Sequence, residues 1–386
     1  MPPTSGKTTL PSRNQPQSRD IFKVLQAFAL AISAGAICSY LGIPVGWLVG
    51  PLLMGISLAF AQGTPRPLPS VFLTVGKAII GVYAASRFSP DTLLFFKAYA
   101  LPLLLCISIT ATLSTANGFF LWRVGGIDRV SSFLGTIPGS ASTIVAMSED
   151  LGADPVIVAI LQYTRMMLVA LSMPMVANWL ASFSHLGAGL EPPSEVVTAI
   201  GHGAGAISLP LWSNVLFLIG CCSLGAFLGR KLKLPSPAFL GSFLCGIVIF
   251  WTLPDQFAVP KIAFTIALLL VGLSVGLRFS WQVIKKIWHI VLLEVGLIFG
   301  LILACFGIGY IFHRITDVDV MTALLGFVPG ALEAMIATVT QLGGDTGVVL
   351  ALQLTRQFLI LFVINILYIS IPRKSTKEAE QKGGET

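Results

Sequence analysis

Two stretches of this chain hold the residues whose types and spacing suit chemistry: 135–165, GTIPGSASTIVAMSEDLGADPVIVAILQYTR, and 326–356, GFVPGALEAMIATVTQLGGDTGVVLALQLTR. Each places a Pro-Gly pair (Pro138-Gly139, Pro329-Gly330) inside an apolar segment. Proline removes an amide donor and glycine resists helical order, so a helix must break there. A half-helix then starts with Ser140, Ser142 and Thr143 in one stretch and with Ala331 in the other. Its first turn presents unpaired amides and the positive end of the helix dipole, which suits an anion. A packing kink between helices is the plainer reading of the same break. Further on, Gln162 and Arg165, and again Gln353 and Arg356, stand three residues apart and so share a helix face. Each Arg lies about 15 Å into its helix by the 1.5 Å rise. An Arg so deep is normally paired or open to a cavity. It either helps hold a solute or fastens the open carbonyl ends of the broken segment. Glu333, whose counterpart is Ser142, is placed to pair with Arg356 or to carry a proton. Glu294 is the second candidate for proton coupling, and Lys77 is a weaker candidate that can snorkel. Asp154 and Asp345 read as helix N-caps, and Asn117, Asn178, Asn214 and Asn365 as bonds between helices.

The elements that must position these groups are set by composition. Of 386 residues, 55% are hydrophobic and 11% charged, with a mean hydropathy of +0.87. A soluble domain carries about 25% charged residues. The charges also cluster at the ends and in short gaps, which excludes a soluble enzyme, a disordered chain and a nucleic-acid-binding domain. A bilayer core needs about 20 apolar residues in a helix. Candidate segments fall at 21–42, 45–62, 71–88, 98–122, 130–150 and 155–183, then at 211–229, 236–254, 261–279, 289–313, 320–341 and 347–371. They are too long and too continuously apolar for barrel strands.

The second six segments repeat the first. An offset of 191 positions aligns Pro44 with Pro235, Gly50 with Gly241, Gly55 with Gly246 and Gly81 with Gly272. It also aligns Arg87-Phe88-Ser89 with Arg278-Phe279-Ser280, the two Pro-Gly pairs, Asp154 with Asp345, and the two Gln-x-Thr-Arg motifs. Polar and special residues matched at one offset mark an internal duplication, common in secondary transporters. Cytoplasmic loops hold the excess of Lys and Arg. Placing both the N-terminal basic residues and the Arg230-Lys231-Lys233 cluster inside requires an odd number of crossings per repeat. The two repeats are then inverted. If 130–150 and 320–341 are the partial segments, Arg87, Lys97, Lys261 and Arg314 are the basic residues left outside. The short 45–62 and 236–254 segments are the other choice, and it stays open.

The expected molecule is an all-α polytopic membrane protein of two inverted repeats, each with about five crossings and a Pro-Gly-broken segment. Residues 1–20 form a disordered cytoplasmic tail, 21–183 the first repeat, and 184–210 an extracytoplasmic linker. Residues 211–371 form the second repeat and 372–386 a second cytoplasmic tail. No secretory signal peptide and no Asn-x-Ser/Thr acceptor occurs. The six cysteines lie in apolar runs without a CxxC motif and read as packing.

The duplicated Pro-Gly break, G-x-D and Q-x-T-R pattern resembles the AbrB-type bacterial inner-membrane family, which is defined by an internal membrane duplication. The resemblance covers nearly the whole chain outside the tails. In that family the Pro is usually followed by two glycines; here Ser140 and Ala331 take the second place. Its members carry labels as a regulator of gene expression or an ammonia monooxygenase, and its architecture is similar to cation/proton antiporter and anion transporter folds. A monooxygenase needs a redox metal or flavin site. The four histidines are scattered without ligand spacing, so no catalysis, no metal and no cofactor is expected. The expected function is secondary transport of a small anionic solute, one repeat bundle rocking against the other. Pro138, Gly139, Ser140, Ser142, Thr143, Gln162, Arg165, Pro329, Gly330, Ala331, Gln353 and Arg356 would form the site. A membrane sensor that influences gene expression without binding DNA is the alternative. The expected partners are the bilayer and a small-molecule or ion substrate, with homo-oligomer formation left open. The expected location is the bacterial inner membrane, with both termini cytoplasmic.

Overall fold

The computed structural model describes residues 18–62, 67–187, 210–253, 257–316 and 318–370. The tail at 372–386, nearly all of the one at 1–20 and most of the 184–210 linker lie outside the described residues. All regular structure among the described residues is helical. The first half supplies α1 (Ser18–Tyr40), α2 (Gly46–Gln62), α3 (Ser70–Ala85), α4 (Pro90–Ala98), α5 (Ala100–Gly125), α6 (Arg129–Thr136), α7 (Ala141–Ser148) and α8 (Pro155–Gly187). The second supplies α9 (Leu211–Lys231), α10 (Pro237–Thr252), α11 (Lys261–Gly276), α12 (Trp281–Lys286), α13 (Trp288–Ile315), α14 (Val320–Phe327), α15 (Leu332–Gln341) and α16 (Thr346–Ser370).

The second set restates the first at the offset of 191: α3 and α6 reappear with identical bounds as α11 and α14. Local signals repeat as well. Asp128 caps α6 by accepting the Ser131 amide at 2.8 Å, and Asp319 caps α14 by accepting that of Thr322 at 3.0 Å. Asp154 accepts the Val156 amide at 2.8 Å, and Asp345 that of Val348 at 3.0 Å, so both are N-caps as expected. Left-handed backbone recurs at Gly42 and Lys233, at Val45 and Ser236, and at Gly152 and Gly343. Ordinary side chains hold this conformation only at a cost, so its recurrence at matched positions marks a shared backbone plan.

The helices form two bodies. One comprises α1–α3 and α9–α11; the other comprises α5–α8 and α13–α16. Each body therefore draws on both halves, which corrects the expectation that the two repeats move as separate bundles. The reason is close packing at matched glycines. A Cβ on Gly81 of α3 would fall on the Phe239 carbonyl oxygen of α10, and one on Gly272 of α11 on that of Leu48 of α2. The bare glycine lets backbones from opposite halves touch, as small residues do in membrane helix pairs.

Among the described residues five helices, α1, α5, α8, α9 and α13, are long and apolar enough to cross a membrane. A sixth crossing is counted if α3 and α4, bent by 79°, act as one span. The expectation of ten crossings exceeds this number because α2, α10 and α11 are shorter, at 17, 16 and 16 residues, and α16 counts only over Thr346–Ile360. A 16-residue helix spans about 24 Å, against the roughly 30 Å of hydrocarbon. Leu25, Leu101, Trp212, Ile262 and Leu303 are exposed on the outside, as lipid-facing side chains are. Cys106, Cys221 and Cys305 are buried in the packing.

Candidate functional site

The two breaks have the same shape. Ser140, ahead of α7, has φ −69° and ψ 105°; Ala331, ahead of α15, has φ −69° and ψ 107°. Behind each break the Gln-x-x-Arg pair closes the carbonyl end of the preceding helix. Gln162 donates to the Leu134 and Ile137 carbonyls at 2.7 and 3.0 Å. Arg165 donates to the Thr136 carbonyl and to Gln162 Oε1, both at 2.7 Å. In the second half Gln353 donates to the Leu325 and Val328 carbonyls at 3.2 and 3.0 Å. Arg356 donates to the Phe327 carbonyl at 3.0 Å and to Gln353 Oε1. Both arginines are buried, at 4% and 5% exposure. The fastening role is thus present twice. It leaves room for another, since both arginines also line a cavity.

That cavity, about 90 Å³ in volume, lies between the two bodies. It has room for several waters or one small solute. From the second body come Pro138, Gly139, Ser140 and Arg165, then Gly330, Ala331, Glu333, Gln353 and Arg356. The start of α7 and the start of α15 therefore face one space. Pro329, Thr143 and Gln162 do not line it, although Gln162 orients Arg165 from behind. The side chain of Ser142 lies outside those described. From the first body come Lys77, Ser236 and Arg278, together with the apolar Leu48, Leu52, Leu73, Val271 and Val275.

Glu333 pairs with Lys77 Nζ at 3.1 Å, which corrects the expected pairing with Arg356. The Arg356 guanidinium is already engaged with its own carbonyl and Gln353, whereas Lys77 reaches in from the other body. Glu294, buried at 2% exposure in α13, stands outside the cavity. Its Oε2 has no hydrogen-bond partner among the described residues, and the charge that acts on it is that of Arg165. The expectation missed Arg278 and Tyr163. Arg278 donates to the Tyr163 hydroxyl, with its guanidinium 5.2 Å from the ring centre. Arg278 belongs to the duplicated Arg-Phe-Ser triplet, the signal that could have found it; its counterpart Arg87 instead lies over the Tyr83 ring. Asn117 bonds across helices to the Leu297 carbonyl at 3.1 Å, as expected, and Asn214 accepts the Ala258 amide at 3.2 Å. Four cations, Lys77, Arg165, Arg278 and Arg356, face one carboxylate across the cavity. The electrostatics favour an anion.

Duplicated apolar helices around an interior cavity that charged side chains enter define a helical, multi-pass class of membrane protein. Within that class the chain belongs to the AbrB family: the family described as "Transition state regulatory protein AbrB" matches residues 47–371. It is 25% identical to "Uncharacterized protein YhjN" of Bacillus subtilis (strain 168), over 91% of this chain and 94% of that one. It is 27% identical to "Putative regulator AbrB" of Escherichia coli (strain K12), over 88% of this chain and 92% of that one.

Proposed function

We propose that the protein is a secondary transporter carrying a small anionic solute through the cavity between its two bodies, with no chemical step. One observation carries the reading: two half-helix starts and four cationic side chains converge on a single cavity at the junction of the two helix bodies. Backbone broken at membrane depth is tolerated where it lines such a space. The inverted arrangement of the halves, the inner-membrane location and the cytoplasmic termini belong to this proposal, and the moving units are the two mixed bodies. Of the two carboxylates considered for proton coupling, Glu333 is engaged by Lys77, whereas Glu294 Oε2 is unpartnered among the described residues. Glu294 is therefore assigned the proton.

Uptake into vesicles across a panel of anions tests the reading. Lys77→Gln and Arg278→Gln should each lower uptake at least tenfold; wild-type rates in both variants would overturn it. Glu294→Gln should keep solute exchange without a gradient and lose accumulation driven by a proton gradient. Retained accumulation would remove Glu294 from the coupling.

A second reading is supported by the names, since the family description and the Escherichia coli relative's name both refer to regulation. In that reading the protein is a membrane sensor that changes gene expression indirectly. Its test is transcript levels in a deletion strain complemented with Lys77→Gln: expression restored without transport would favour the sensor.

A further inference from the structure

We infer that the Glu333 carboxylate is a built-in stand-in for the solute, that Lys77 is the ligand a solute captures from it, and that the solute is a small monocarboxylate with a short apolar tail. This rests on the transport reading above. The two half-helix starts have the same backbone geometry, yet only one is supplied with an acid. Glu333 lies in the first turn of α15, and α7 has no acidic residue in its first turn. One half-helix start thus carries its own carboxylate, held by Lys77, while its duplicate carries no acid in its first turn.

A second buried cation stands on the same cavity. Arg165 lines the cavity at 4% exposure, and its Nε has no hydrogen-bond partner among the described residues. Lys77 stands in the opposite body, 3.1 Å from the Glu333 oxygen, and shows which group its ammonium accepts: a carboxylate. Lysine holds an anion as a flexible point charge, so a shift between two carboxylates needs no fixed fork geometry.

The rest of the wall sets the class of solute. Leu48, Leu52, Leu73, Val271 and Val275 present hydrocarbon beside Lys77 and opposite Arg165 and Arg356. A phosphate or sulfate stripped of its water would leave polar oxygens against that wall without partners, at a desolvation cost. A carboxylate with a tail of a few carbons satisfies both sides. Because Lys77 and Glu333 belong to different bodies, taking Lys77 from Glu333 also releases a tie between them. Solute binding and opening then become one event.

The experiment is titration of the full chain, purified in detergent, with butyrate, inorganic phosphate and the neutral isostere butyramide. Wild type should bind butyrate in preference to the other two. Glu333→Gln, which removes the internal competitor and keeps its shape, should tighten butyrate about tenfold, and Lys77→Gln should weaken it by at least that factor. Should Lys77→Gln not fold, Glu333→Asp replaces it: a carboxylate withdrawn by one methylene should tighten butyrate less than Glu333→Gln does. Unchanged butyrate affinity in Glu333→Gln, or equal binding of butyramide, overturns the inference. Preferred phosphate binding overturns the monocarboxylate class while leaving anion transport standing. Absence of binding by all three probes in both wild type and Glu333→Gln overturns the transport reading as well.

Discussion

At the scale of single residues, the two Gln-x-x-Arg motifs carry the heaviest structural duty. Breaking a helix leaves its last carbonyls without partners, and in a membrane water is not at hand to take them. Gln162 and Gln353 each accept this load for two carbonyls. Gln353→Leu should therefore strand the Leu325 and Val328 carbonyls and release the hold on Arg356. A cost of about 2–6 kcal/mol follows from roughly 1–3 kcal/mol for each of the two stranded groups. A melting curve of the purified variant checks it; a midpoint equal to wild type would contradict the fastening role. Gln162→Leu should behave alike. The residues of these motifs were legible from spacing, and so were the alternatives of fastening and binding. The Lys77–Glu333 pair was not legible. Its members lie in different halves and different bodies, and no local period links them.

At the scale of elements, several features follow from local chemistry: Asp at the start of α6 and α14, Pro-Gly at the breaks, matched glycines along α3 and α11. Their positions were readable, but not which backbone each glycine meets, because close approach is a property of two helices. The glycines accordingly divide into two kinds. Gly81→Val and Gly272→Val each drive a side chain into a carbonyl of the partner helix, and should cost about 1–3 kcal/mol or more by overpacking. Gly300, in α13, has nothing within 4 Å of an added Cβ. Gly300→Ala should be neutral or stabilising by up to about 1 kcal/mol, the helix preference of Ala over Gly. Thermal midpoints of the three variants check this, and a Gly300→Ala protein no more stable than Gly81→Val would refute the contact argument.

At the scale of the molecule, duplication and mobility divide the chain differently. The repeat boundary runs between α8 and α9, whereas the packing boundary runs between α1–α3 with α9–α11 and α5–α8 with α13–α16. A chain read only by its repeat suggests two halves that move; the interleaved glycine contacts weld parts of both halves into the first body, and α5 packs on α13 across the halves in the second. Few polar groups cross the packing boundary. Lys77 meets Glu333, Arg278 meets Tyr163, and the Val45 amide donates to Gln341 Oε1 at 2.5 Å. If transport is motion across this boundary, covalent ties placed over it should stop the cycle, and ties within one body should not. In a cysteine-free background, bridging Val45→Cys to Gln341→Cys with a short bifunctional reagent should reduce vesicle uptake to background, with recovery when a cleavable reagent is reduced. Bridging Ala226→Cys to Ala238→Cys joins two packed side chains of the first body and should leave uptake near the unbridged rate. Full uptake with the first bridge in place would show that the two bodies do not move against each other. Equal loss from both bridges would place the moving boundary inside the first body instead.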